Sequence, residues 1–207
     1  MAKNYARIAF TTSVKAQQEI HGSRRQYERM ERVERGTELT FAEADFIGER
    51  DGFYLATVGE DGQPYVQFRG GETGFLKTLD SKTLGYADFR GNLQYISVGN
   101  LSVDNRAAVI LMDYANRRRL KIFARVEVFN RTDAPELMKK LENPNYAAKI
   151  ERAMLLHVEA FDWNCPQHIT PRFTIEEIRE MNLPLYERIE KLEVENQRLN
   201  QKLKDEN

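Results

Sequence analysis

The stretch from Phe53 to Leu101 sets the terms for the fold. It reads FYLATVGEDGQPYVQFRGG, then GFLKTLDSKTLGYADFRGN, then LQYISVGNL, apolar runs separated by turn residues. Short runs rich in β-formers and bounded by Gly, Asp and Asn read as strands. Glu60-Asp61-Gly62-Gln63 joins residues 53–58 to 65–69 as one hairpin, and Asp80-Ser81-Lys82 joins 74–79 to 83–87 as another. Residues 106–112 form an apolar run of buried-strand type. In 120–129 the residues alternate. Leu120, Ile122, Ala124, Val126 and Val128 share one face, opposite Lys121, Arg125 and Glu127. Residues 152–161 form another strand, stopped by the two prolines of WNCPQHITPRF. At least six strands joined by short turns predict a mainly-β chain, an antiparallel barrel with peripheral helices. Residues 93–104 fit either state, since Leu93 and Ile96 suit a helix and Gly99 does not.

Helices belong at the margins. Residues 1–35 are polar and basic with sparse apolar positions, which predicts one or two solvated helices broken at Gly22. Thr40 and Glu43 have the spacing of a capping box, so a short helix is expected over about 41–49. Residues 135–141 form another. Thr174 and Glu177 open a helix to about Asn182, and Pro184 is expected to start a new one. There Leu185, Ile189, Leu192, Asn196, Leu199 and Leu203 keep the 3.5-residue period of a coiled-coil seam about three heptads long. Asn196 falls at an a position, and Arg188 at g faces Glu193 at e of a partner helix. The seam fits a short parallel coiled coil between protomers; the alternative is a tail helix packed on its own domain. The organisation is therefore an arm over 1–39, a barrel over 40–173 and helices over 174–207.

Composition excludes several functions. The 207 residues carry a formal net charge of −1, so nothing draws the chain as a whole to nucleic acid, and a phosphate must be held by a local cluster. Cys165 is the only cysteine, which excludes an intrachain disulfide and a cysteine-rich metal site. No run approaches the ~20 apolar residues of a membrane span. The first ten residues lack the apolar core of a signal peptide, and a cytoplasmic home is expected. His21, His157 and His168 have no metal-ligand spacing, and His157 reads as a core histidine. No nucleotide-binding glycine loop and no nucleophile–base order can be argued, so no catalytic residue is assigned and no metal is expected.

The positive chemistry lies at strand ends. Gln67 and Arg69, two apart, share a strand face, and Gly70-Gly71 permits close approach of a ligand. Asp88-Phe89-Arg90-Gly91-Asn92 is a polar turn, and Asn116-Arg117-Arg118-Arg119 adds three cations. Guanidinium forks of this number suit a phosphate-bearing ligand.

Four ordered motifs carry a resemblance: GxPYVQFRGG, ADFRGNxQYIxxGN, DYxxRRRLKI and WNCPQHIxPRF, over about residues 40–173. Together the chain resembles the FMN-binding split-barrel superfamily of pyridoxamine 5′-phosphate oxidase, in its subgroup of flavin-nucleotide-binding relatives. The resemblance implies a six-stranded Greek-key split barrel, a homodimer, and FMN at the subunit interface. It implies that Gln67, Phe68, Arg69, Gly70 and Gly71 line the flavin. Tyr86, Ala87, Asp88, Arg90, Gly91 and Asn92 then belong to the arm holding the phosphate. Arg119, beside Arg118, stands where the oxidase offers a glutamine from the other subunit. Trp163, Gln167 and His168, in the segment around Cys165, would close over the ring system. Glu72 stands where the oxidase has a lysine, and the oxidase's arginine-rich C-terminal substrate segment is not recognisable. The flavin is therefore carried over and pyridoxamine 5′-phosphate is not. The expected activity is an oxidoreductase on a small molecule. The alternatives are a flavin-binding sensor or carrier without turnover, or a split barrel holding haem or deazaflavin.

Overall fold

A computed structural model describes residues 4–33 and 36–205. Residues 1–3, Glu34 and Arg35, which the sequence reading placed in the helical arm, lie outside the described residues. The chain divides into two compact units. One comprises the residues up to Asp113 with Arg117–Gln167; the other comprises Tyr114–Asn116 with the residues from His168 onward.

The first unit is built on seven antiparallel strands, one more than the six that the resemblance implies. They are β1 (Gly52–Val58), β2 (Pro64–Gly70), β3 (Lys77–Asp80), β4 (Thr83–Phe89), β5 (Arg106–Asp113), β6 (Arg118–Asn130) and β7 (Ile150–Trp163), in the order β2-β1-β5-β6-β7-β4-β3. The extra strand is β3, four residues that pair only with β4. The long β6 and β7 form the spine, paired from Leu120↔Trp163 to Asn130↔Arg152 with one register shift between Phe123 and Ala124. The sheet curls until its first strands meet β4 across the interior. Phe53 of β1 meets the Tyr86 ring at 5.3 Å, and Arg69 of β2 reaches Asp88 of β4 at 3.0 Å.

Alternation decides which side chains fill this interior. Leu120, Ile122, Ala124 and Val126 of β6 are buried, as the period-two pattern requires, beside Leu55, Val109, Leu84 and Leu156 of neighbouring strands. His157 breaks the expected pattern. It lies on the outer face, half-exposed, 3.0 Å from Glu127, rather than in the core.

Seven helices complete the described residues: α1 (Tyr5–Ala9), α2 (Thr12–Ile20), α3 (Arg24–Arg32), α4 (Phe41–Gly48), α5 (Ile96–Val103), α6 (Pro135–Leu141) and α7 (Ile175–Asp205). The arm holds three helices, not one or two, and it is docked. Tyr5 stacks on Phe123 of β6 at 4.5 Å, and the buried Asn4 donates its amide to the Met30 carbonyl at 2.8 Å. Gly22, at φ +70°, makes the turn between α2 and α3. Residues 93–104 resolve as helix from Ile96 on, after Leu93 and Tyr95 take left-handed backbone at φ 64° and 53°.

The second unit is dominated by α7. It runs unbroken through Pro184, where the sequence predicts an end and a new start. Proline removes one backbone hydrogen bond from a helix but does not forbid it. No described helix is long and apolar enough to cross a membrane.

Candidate functional site

β2 alternates exposed and half-buried residues along its whole length. Tyr65, Gln67 and Arg69 therefore face one way, into a cleft shared with the end of β4 and the start of α5. Asp88, Gly91, Asn92, Ser97, Glu151 and Arg152 line the same cleft. A register shift between Asp88 and Phe89 bends the end of β4 here.

The charges form one connected cluster. Arg69 Nη1 lies 3.0 Å from Asp88 Oδ1, and Arg152 Nη1 lies 3.4 Å from Asp88 Oδ2. Arg152 also reaches Glu151 at 2.6 Å and sits 5.0 Å from the centre of the Tyr95 ring. Arg90 Nε binds the other oxygen of Glu151 at 3.0 Å. Ser97 donates to Gln67 Oε1 at 3.2 Å, and the Gln94 N–H donates to Asn92 Oδ1 at 3.2 Å. Burial pushes the Asp88 carboxyl above the usual aspartate range, against the pull of Arg69 and Arg152. Three guanidiniums thus face two carboxylates, leaving one positive charge in surplus.

Donors of two kinds are left over. Arg69 Nε is buried and has no hydrogen-bond partner among the described residues. No side chain caps the N-terminus of α5, whose first residues, 96–98, line the cleft. Free N–H groups at a helix start attract anions. The two positive-φ residues just before α5, Leu93 and Tyr95, carry backbone strain beside these donors.

The other residues singled out from the sequence are placed elsewhere. Phe68 faces the opposite side of β2, 56% exposed, with its ring 5.4 Å from that of Tyr54. The space above Gly70 and Gly71 is taken by the protein's own rings. A Cβ on Gly70 would meet Phe68 at 2.8 Å, and one on Gly71 would meet Phe75 at 2.7 Å. The glycines therefore admit aromatic side chains where the sequence suggests a ligand. Tyr86 and Ala87 are core side chains, 1% and 3% exposed. Arg118 is 5.1 Å from the ring centre of Phe46 and 4.8 Å from that of Trp163. Trp163 donates its indole N–H to Glu43 at 2.7 Å. Arg119 pairs across to Met112 and keeps a buried Nε without a partner among the described residues. Gln167 is exposed; His168, also exposed, belongs to the second unit, at φ +62°. Cys165 is an exposed free thiol. Among the described residues no group of His, Cys, Asp or Glu could hold a metal ion.

Two larger cavities lack this chemistry. One of about 560 Å³, beside α1 and α4, is lined by Glu38, Glu43 and Asp162 and, among the described residues, by no lysine or arginine. A second, of about 280 Å³, lies between β4 and the chain after α6, with Phe75, Phe89 and Tyr146 among its walls.

The fold is a curled antiparallel sheet with a charged cleft, one positive charge in surplus, where its first strands meet β4. A family model described as pyridoxamine 5′-phosphate oxidase matches residues 39–181, and the chain belongs to that family. No curated protein matches it. Among solved structures it is similar to a Lactobacillus delbrueckii protein assigned provisionally to pyridoxamine 5′-phosphate oxidases, at 23% identity and TM-score 0.47 over 61% of this chain and 94% of that one. It is also similar to HupZ of Group A Streptococcus, at 16% identity and TM-score 0.46, over 65% and 99%. An FMN-binding protein of Syntrophomonas wolfei matches at 13% identity and TM-score 0.44, over 71% and 97%.

Proposed function

We propose that the chain is an FMN-binding flavoprotein that works as an oxidoreductase on a small molecule, with two copies enclosing each flavin. The observation that carries this reading is the buried, unpartnered Arg69 Nε beside the uncapped start of α5. A phosphate monoester carries close to two negative charges near neutral pH and several strong acceptor oxygens. Arg69, Arg90 and the residue 96–98 amides supply the matching donors. Gln67 and Asn92 offer both donors and acceptors for a heterocycle edge. When bound, the flavin supplies the electron-transfer chemistry, and the protein's share is to hold and orient it.

The need for a second copy follows from size. One chain's cleft encloses only about 40 Å³, a floor rather than a pocket. Sites that bury a drug-sized ligand run to roughly 300–1,000 Å³. The outer face of β2, β1 and β5 exposes Val66, Phe68, Tyr54 and Ile110, apolar surface of the kind a partner covers. Arg119, with its unsatisfied Nε, is a residue that a second copy could bring to a shared ligand.

Glu72 argues against pyridoxamine 5′-phosphate as substrate. It is a half-buried carboxylate accepting from the Asn143 amide, and a second phosphate placed near it would be repelled. Purified protein incubated with FMN and desalted is expected to stay yellow, at one flavin per chain, and to sediment as a dimer. It should not oxidise pyridoxamine 5′-phosphate. Colourless protein after that treatment would overturn the reading.

A further inference from the structure

The helix α7 runs for 31 residues and buries none of them. Because it continues through Pro184, its apolar seam reaches further back than the last three heptads. With Asn196 at a, the a positions are Ile175, Asn182, Ile189, Asn196 and Leu203, and the d positions are Ile178, Leu185, Leu192 and Leu199. The frame holds without a skip from one end of the helix to the other, and Pro184 falls at c, on the outer side. Leu185, Ile189, Leu192 and Leu199 are each between 44% and 60% exposed. An apolar stripe of this length on a soluble helix calls for a cover.

We infer that the cover is a second copy of α7, wound parallel and in register as a two-stranded coiled coil. The heptad chemistry selects this occupant. β-branched isoleucine at a with leucine at d favours two strands over three or four. Asn182 and Asn196 sit two heptads apart, both at a. Only a parallel, in-register pair sets each asparagine against its own copy, where the two amides can hydrogen-bond. An antiparallel pair packs a against d′ and buries each amide against leucine or isoleucine, leaving it unsatisfied. The flanking charges agree. Arg188 at g faces Glu193 at e of the partner helix, and Glu195 faces Asn200. Met181 faces Tyr186, so no like charges meet across the seam. Within one α7, Asn196 and Asn200 lie side by side at 3.5 Å, so a polar layer is already formed at that level.

The pairing does not depend on flavin binding, and the test separates the two. In full-length protein with Cys165→Ser, cysteine is introduced at Leu199→Cys, a d position, and separately at Gln201→Cys, an outward f position. Under mild oxidation at low protein concentration the Leu199→Cys chain should form a disulfide-linked dimer at least about tenfold faster than the Gln201→Cys chain, since only the seam brings two Cβ atoms within bonding reach. Adding Ile189→Lys should abolish that preference. Equal rates at the two positions, with helicity retained by circular dichroism, would overturn the inference even if FMN binds. A preserved preference in protein that never takes up flavin would uphold it while the flavin reading fails.

Discussion

Asp88, near the end of β4, and Glu43, in the first turn of α4, are both almost fully buried, at 4% and 6% exposed, yet they are pushed in opposite directions. Burial raises each. At Glu43 it is outweighed: Thr40 donates its backbone N–H at 2.9 Å and its hydroxyl at 2.5 Å, and Trp163 donates its indole at 2.7 Å. Each of its oxygens has a fixed donor, and the carboxyl falls below the usual glutamate range. Asp88 has two guanidiniums instead, at 3.0 and 3.4 Å, and these do not overcome its desolvation. One carboxylate is finished by its own chain and acts as a rivet between α4 and β7. The other holds two arginines in a cleft where one of them keeps a donor to spare. Polar burial that is fully satisfied marks architecture; polar burial that is left incomplete marks a site.

The largest expected effect comes from removing the carboxylate at the incomplete end. Asp88→Ala removes both acceptor oxygens that tie Arg69 and Arg152 together, leaving Arg69 without a carboxylate and Arg152 with Glu151 alone, and loss of one partner from a buried ion pair costs about 3–5 kcal/mol. Urea unfolding should show that loss. A change near zero would mean that the arginines simply turn to solvent, and the cleft would then lack a rigid floor. Next is Arg69→Met. It removes the spare donor, and FMN affinity should fall about 10- to 100-fold, the worth of one charged hydrogen-bonding group at roughly 1.5–3 kcal/mol. Unchanged affinity by equilibrium titration would move the phosphate away from this end of β2. Third is Glu43→Gln. The expected cost is about 1–2 kcal/mol, from a weakened capping box and a weakened indole bond. Flavin affinity should be unaffected, which is the sense in which the two carboxylates differ.

How much of this was legible beforehand differs between the two regions for a physical reason. The Thr40–Glu43 box is local, three residues apart, and its spacing alone announces it. The alternation of β6 and the span of α6 are local as well, and both appear in the structure with nearly the expected bounds. The partner of Glu43, Trp163, is 120 residues away, and nothing in either segment points to the other. The cleft has the same problem. Gln67, Arg69, Asp88 and Asn92 stand out as polar residues at glycine-rich turns. Arg152 reads only as the start of a strand, and Glu151 lies just outside it. They reach the site because β4 pairs with β7 at Asp88↔Arg152, a long-range register. Ser97 was hidden in a segment whose helix depends on two left-handed residues, a conformation that Leu93 and Tyr95 do not advertise. Pro184 misled in the other direction. Its local rule says stop, but the unbroken seam frame on both sides was already the evidence that the helix continues.

The smallest effect is also the most direct test of the contrast, because it concerns only the sign of a slope. Glu43 is lowered in the folded chain, so below the ordinary glutamate value of about 4.3 the unfolded chain binds the extra proton. Its contribution to stability is complete above that value and drains away as pH falls through the folded value. Asp88 is raised, so just above the ordinary aspartate value of about 3.9 the folded chain binds the extra proton. Its ionisation weakens the fold as pH rises through that window, and its protonation restores the stability as pH falls. Glutamine and asparagine do not titrate, so each isosteric variant is a flat reference at its own position. Urea midpoints for wild type, Glu43→Gln and Asp88→Asn, followed from neutral pH down through the carboxylate range, should therefore diverge. On acidification the wild type should lose its advantage over Glu43→Gln and gain on Asp88→Asn. Slopes of the same sign would mean that the two buried carboxylates are held alike, and that the guanidiniums around Asp88 satisfy it as fully as Thr40 and Trp163 satisfy Glu43.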